Sequence, residues 1–178
     1  MILRFNDFEI SAVHEGDAWK ICDFCVANSD RLKRFFPLTL QQNLNPTLSQ
    51  LFVDKKVKQF RNNEEFLFTL KHSVSQKLVG LIYIKELNWD AKQGEYAYCI
   101  DYIQKGKGLM SKAIAELNKY AFNTLGLKTL QIITHKDNIA SANVAKKNNF
   151  VWQKTLINEY TPPGEQPLNM ELYELYKS

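Results

Sequence analysis

A chain of 178 residues with 45% hydrophobic and 12% aromatic content can bury a core of its own, which argues against disorder and predicts one domain over residues 1–178. Its formal charge of +4, from 23 Lys and Arg against 19 Asp and Glu, is too small to point to nucleic acid and suits an anionic small molecule. No apolar run approaches the roughly 18 residues that a spanning helix needs, and Met1-Ile2-Leu3-Arg4-Phe5-Asn6-Asp7 lacks the apolar stretch of a secretion signal, so no membrane is implied and a cytoplasmic location is expected.

Phe8-Glu9-Ile10-Ser11-Ala12-Val13 alternates as a half-buried strand does. Gly16-Asp17 then opens a helix to Asn28 in which Ala18, Ile21, Cys22 and Cys25 fall on one apolar stripe. The Cys22-x-x-Cys25 spacing therefore reads as small core hydrophobes. A zinc site wants about four ligands, and only Cys99 with His14, His72 and His135 remain to supply them; no metal is expected. Asn28-Ser29-Asp30 is a cap-like cluster before a helical turn, Arg31 to Phe36, that Pro37 closes. Asn45-Pro46-Thr47 starts another helix, with Leu48, Leu51 and Phe52 expected on its buried face. Lys55, Lys56, Lys58 and Arg61 read as the solvated face of that segment.

Glu65–Lys71, Leu78–Leu87 and Glu95–Ile100 are β-branched or aromatic runs separated by turn residues, a meander of antiparallel strands. The pattern then changes. A helix from Leu109 to Asn123 carries Met110, Ala113, Ile114, Leu117 and Ala121 at helical spacing, and Gly126 ends it. Thr129–His135 follows as a strand, Asp137-Asn138 caps a helix to Asn148, and Phe150–Tyr160 and Leu168–Leu175 are the last strands. This order predicts an α+β, mixed α/β class: a central, mostly antiparallel mixed sheet with flanking helices.

Two constellations carry chemistry. Lys105-Gly106-Lys107-Gly108-Leu109-Met110 lies between a strand and an amphipathic helix. Glycines there let backbone approach a ligand, and the helix start offers unpaired N–H groups and a positive dipole end, which together bind phosphate. The plain alternative is a strand–helix turn with two glycines. A Walker loop is absent, and Met110 and Ser111 leave the dinucleotide fingerprint without its third glycine. In the second constellation, Asn138 and Ser141 stand three apart at a helix start, placed either to cap it or to meet a ligand.

Together, the glycine loop, its helix, the next strand, the Asn138-x-x-Ser141 helix and Asn148-Asn149-Phe150 resemble the GNAT superfamily of acetyltransferases. That family's loop reads Gln/Arg-x-x-Gly-x-Gly/Ala; here Lys105 replaces the first residue and Met110 the last small one. Gly106-Lys107-Gly108-x-Met110, the Ser141-x-x-Val144-Ala145-Lys146-Lys147 helix and the Asn28-x-x-x-Leu32 segment before Pro37 are similar to the RimJ/RimL-like branch, which acetylates protein N-termini, notably of ribosomal proteins. The resemblance implies a splayed parallel pair, Glu95–Ile100 beside Thr129–His135, with acetyl-CoA as co-substrate. Its pantetheine arm would pair with the backbone of Ile100, Asp101 and Tyr102, and its pyrophosphate would accept from the amides of Lys105, Gly106, Lys107, Gly108, Leu109 and Met110. Asn138 and Ser141 would reach the arm and the thiol.

Acetyl transfer to an amine needs a base for the ammonium, a donor to the oxyanion and a fate for the thiolate. Glu95, on the strand beside the splay, and Glu159, at the place where a RimL-like enzyme carries its base, are the two candidates, with Glu159 preferred. A tyrosine that many members use as acid is Ala145 here, so Ser141 is left to orient the thiolate or a water. His135 ends a strand and either touches substrate or is locally satisfied. Residues 28–46, the 87–94 hairpin and the 160–167 loop should wall the acceptor, with Phe35, Phe36 and Trp89 either lining it or belonging to the core. The acceptor expected first is a peptide or protein N-terminus, including a ribosomal protein's. A small amine such as an amino sugar, polyamine or drug is second, and a silent acyl-CoA-binding module is the reading from another class. A homodimer is compatible with all three.

Overall fold

The computed structural model describes residues 2–178, Ile2 through its backbone alone. Eight strands, β1 (Ile2–Phe5), β2 (Phe8–Ala12), β3 (Phe66–His72), β4 (Leu78–Asn88), β5 (Gln93–Ile100), β6 (Thr129–Thr134), β7 (Val151–Tyr160) and β8 (Leu168–Tyr176), follow the order β1-β2-β3-β4-β5-β6-β8-β7 in the sheet. The pair β5–β6 runs parallel, as the crossover through a helix requires. Six α-helices complete the described residues: α1 (Ala18–Ala27), α2 (Ser29–Phe35), α3 (Pro37–Gln41), α4 (Pro46–Arg61), α5 (Leu109–Asn123) and α6 (Ile139–Lys147). The expected mixed α/β class, mostly antiparallel with one parallel pair, is the observed one. None of these helices is long and apolar enough to cross a membrane.

The chain forms two compact units. The first holds the residues up to Tyr83 with Tyr98–Gln104 and Pro162–Gly164. In it α1 packs on α4, and α4 on β3. Cys22 and Cys25 are buried on the α1 stripe beside Ile21 and Phe24, where the spacing put them. Burial pushes the Cys25 thiol far up, so it stays protonated and serves as packing. A buried ion pair crosses this core, Lys71 Nζ to Asp17 Oδ1 at 2.6 Å, and Asp17 Oδ2 also accepts from the His14 amide.

Several expectations fail in this unit; Lys56, read as part of a solvated face, is nearly covered, its Nζ paired with Glu65 Oε1. Residues Ile2–Phe5, read without an element, pair with β2 through the Asn6-Asp7 turn, with Asn6 at φ 49° in the left-handed region that asparagine tolerates. Pro37 does not close a helix; it sits in the first turn of α3, where its missing N–H costs nothing. The buried face of α4 is Ser49, Phe52, Val53 and Val57, while Leu48 and Leu51 are exposed. Ser49 turns that helix inward because its Oγ donates to the buried Asn43 Oδ1 at 2.8 Å, and Asn43 in turn donates to Thr39 O. A satisfied serine thus outranks an apolar leucine at the core.

The second unit holds Ile84–Ala97, Lys105–Thr161 and Glu165–Ser178. Its helix α5 buries Met110, Ala113, Ile114, Leu117 and Ala121, the stripe that the sequence predicts. Asn148, at the end of α6, donates to Ser111 O and so ties that end to the start of α5. The parallel register runs from Gln93↔Thr129 to Tyr96↔Ile132, the first half of β5.

Candidate active site

The glycine loop belongs to the second unit. Gly106 and Gly108 have φ of 77° and 74°, and a Cβ at either would meet nothing within 4 Å. The left-handed backbone, rather than crowding, is what demands glycine there. Gly108 is the N-cap of α5, and no side chain caps the helix, so its first-turn amides face outward with the dipole's positive end. Lys105 and Lys107 are exposed beside them. Met110, which departs from the family's small residue, is buried at 6% exposure.

One strand later in the chain, Asn138 Oδ1 accepts from the Ser141 amide at 3.2 Å. The capping role is therefore realised, and Ser141 is half-buried on the first turn of α6. His135 is buried just past β6, its Nδ1 accepting from the Asp137 amide and lying 3.7 Å from Asp137 Oδ2. It also borders a groove of about 500 Å³ with Lys136, Thr155, Asn158, Asn169 and Glu171. Glu171 is engaged there, accepting from Thr155 Oγ1 and Trp152 Nε1.

The two candidate bases also lie in the second unit, and the structure brings them together electrostatically. Glu95 on β5 has a side chain only 15% exposed, with Lys85 Nζ of β4 at 3.3 Å from its Oε1. Burial pushes its carboxyl above the usual range; Lys85 opposes this, and the charges of Glu86 and Glu159 reinforce it. Glu159 is exposed on β7, next to Asn158. There the pairing with β8 jumps from Leu156↔Met170 to Tyr160↔Leu168, Asn158 adopts φ 51° and its N–H donates to Asn169 Oδ1. Such a bulge re-aims side chains along an edge strand. The sequence named both carboxylates but missed Lys85, whose only signal was its place on the strand before the hairpin.

In the first unit, the segment Ile100–Tyr102 is held by its own neighbours. Asp101 N donates to Val79 O at 2.7 Å, Tyr102 N to Asn28 Oδ1 at 3.2 Å, and Ile100 O accepts from Arg31 Nη1 at 2.9 Å. Asn28 does not cap α2 with its side chain, contrary to expectation; its Nδ2 donates back to Phe24 O and its Oδ1 is spent on Tyr102. Neither grip was legible, since 69 and 74 residues separate the partners. Burial pushes the Cys99 thiol of this strand up to about 12, against the Leu81 amide and Arg31, which removes it as a nucleophile at neutral pH.

The family described as acetyltransferase (GNAT) domain matches residues 8–151. Over 86 residues the chain is 28% identical to the spermidine N(1)-acetyltransferase of Escherichia coli (strain K12), covering 48% of this chain and 46% of that protein. The matched stretch thus spans about half the length of the curated relatives. Among solved structures, the ribosomal-protein-S5-alanine acetyltransferase from Vibrio fischeri superposes with a TM-score of 0.92 at 18% identity, over 99% of this chain and 96% of that one. RimL, a ribosomal L7/L12 alpha-N-protein acetyltransferase in complex with coenzyme A, does so with a TM-score of 0.90 at 16% identity, over 99% and 98%. At such identities these two share the fold.

Proposed function

The chain belongs to the GNAT family of acetyltransferases, and from that premise we propose that it moves the acetyl group of acetyl-CoA to a primary amine, foremost the N-terminal α-amino group of a protein. The observation that carries this is the cradle at the start of α5: two glycines at positive φ before an uncapped helix, flanked by Lys105 and Lys107. It is built to accept a pyrophosphate. Leu109 and Met110 add amides while their side chains anchor the loop in the core. The pantetheine rail expected from Ile100, Asp101 and Tyr102 is narrowed, because the Asp101 and Tyr102 amides and the Ile100 carbonyl are spent within the first unit. Asn138 would meet the arm through its Nδ2, because Oδ1 is spent on the cap.

Glu95 is the better base of the two carboxylates. A group lifted above the ordinary carboxylate range binds a proton from an ammonium more readily, and partial burial keeps competing water away. Glu159 is exposed, and its charge raises the proton affinity of Glu95. Ser141 orients the departing thiolate or a water, since the fully buried Ala145 holds the place of a tyrosine acid.

The S5-alanine and L7/L12 acetyltransferases, near-complete fold matches, favour a protein N-terminus such as a ribosomal protein's. The spermidine relative favours a polyamine as the second reading. A homodimer would cover β7, whose Val151, Trp152 and Ile157 are exposed. Cytoplasmic residence fits three cysteines that are all free thiols. Rates of thiol release from acetyl-CoA with peptides bearing free N-terminal alanine or serine, set against spermidine, decide between the readings. A higher kcat/KM for the peptides supports the first, and a higher value for spermidine replaces it with the second.

A further inference from the structure

We propose that Lys85 is a positioning residue for the transfer, its ammonium holding the Glu95 carboxylate ionised and aimed. The proposal rests on Glu95 as the base that accepts the proton of the acceptor's ammonium.

Lys85 is the first charged residue of β4 after seven buried ones, Leu78 to Ile84. Its stem is partly covered, its side chain 34% exposed, and its Nζ lies 3.3 Å from Glu95 Oε1. A lysine with a packed stem and a tethered head is a fixed charge rather than a solvated one. The groups that act on Glu95 come from both sides: Lys85 and Glu86 from β4, Glu159 from β7. Burial, Glu86 and Glu159 all favour the neutral acid; among these groups Lys85 alone favours the carboxylate.

That balance matters for a base. Without the cation, burial and the two other carboxylates would all push the carboxyl further toward its neutral form, in which it cannot take a second proton. A carboxylate fully paired and hydrated would bind protons too weakly. One lysine against two glutamates leaves a group of raised proton affinity that still ionises. The ammonium also fixes the direction of the carboxylate, because a free glutamate on a strand has three side-chain torsions to lose.

The test compares wild type, Lys85→Met, Lys85→Arg and Glu95→Gln in two readouts. The first is the pH profile of kcat/KM for acetyl-CoA with a peptide bearing a free N-terminal alanine. The second is the carbon-13 titration of the Glu95 carboxyl, which needs no turnover. Removal of the cation should raise the Glu95 midpoint and carry the acid limb upward with it by about one pH unit. The alkaline plateau should fall as well, by about three- to tenfold, because the carboxylate loses its aim, and Lys85→Arg should restore both midpoints and most of the plateau. An unmoved carboxyl titration in Lys85→Met overturns the proposal. A full rate with an unchanged limb in Glu95→Gln also overturns it, and shows that the reading of Glu95 as base is what failed. Loss of activity in Glu95→Gln beside an unmoved limb in Lys85→Met separates the two, sparing the base and removing the role of Lys85.

Discussion

Glu95 on β5 and Glu159 on β7 are coupled through space: the charge of Glu159 adds to burial in holding the Glu95 carboxyl above its ordinary range. Removing that charge in Glu159→Gln should make Glu95 easier to ionise. The acid limb of kcat/KM should then move to lower pH, opposite in sign to the effect of losing Lys85. A limb that stays in place while kcat collapses by about a hundredfold or more would instead make Glu159 the proton acceptor.

The same raised carboxyl has a stability consequence. A group whose folded-state value lies above its unfolded one contributes stability at low pH, below the ordinary carboxylate range, and that contribution is lost as pH rises through the raised value. Glu95→Gln should therefore unfold at a higher temperature than wild type at pH 8, with the difference closing at pH 4. Thermal melts at the two pH values check it, and an equal or lower Tm at pH 8 would refute the strain assigned to this side chain.

Gly108 at φ 74° has open space around it, so Gly108→Ala adds strain without a clash, about 1 kcal/mol for a left-handed alanine. If the loop is the pyrophosphate cradle, KM for acetyl-CoA should rise by about fivefold or more while kcat changes little, that energy being spent on cofactor affinity. Lys105→Ala should also raise KM, and its effect should fade between low and high salt. A KM untouched by both changes would place the pyrophosphate elsewhere.

Ser141→Ala should lower kcat by about tenfold and leave calorimetric CoA affinity within about twofold, the pattern of a group that acts in the transition state rather than in binding. Equal losses in both would make Ser141 a binding residue.

Lys71 and Asp17 form a nearly water-free pair, their side chains 3% and 0% exposed. Lys71→Met leaves the buried Asp17 carboxylate with only His14 as a partner and should cost about 3 to 5 kcal/mol in denaturant unfolding. Adding Asp17→Asn should recover much of the loss, because the orphaned charge is then gone.

The sequence carried a good deal of this. The α5 stripe and both glycines of the loop are local features, fixed by spacing within one helix or turn, and the structure places them as read. The cap that Asn138 provides is one of the two roles its place at a helix start allows, and it too is local. What escaped was set by hydrogen bonds and pairings that apolar periodicity does not record. Leu48 and Leu51 satisfy the helical period as well as Ser49 and Val53 do; only the hydrogen bond from Ser49 to Asn43 selects the second stripe. The Arg31 grip on Ile100 and the charges around Glu95 depend on how separate strands and helices meet, which no window of sequence holds.

Acetyl transfer to an amine with Glu95 as base is tested by thiol release from acetyl-CoA by wild type and Glu95→Gln, with peptide N-termini and polyamines as acceptors and CoA calorimetry alongside. Release is expected only when acceptor and acetyl-CoA are both present, with a loss of about a hundredfold or more in Glu95→Gln and equal CoA affinity for the two proteins. CoA binding without release on any acceptor would contradict it and leave the chain an acyl-CoA-binding module.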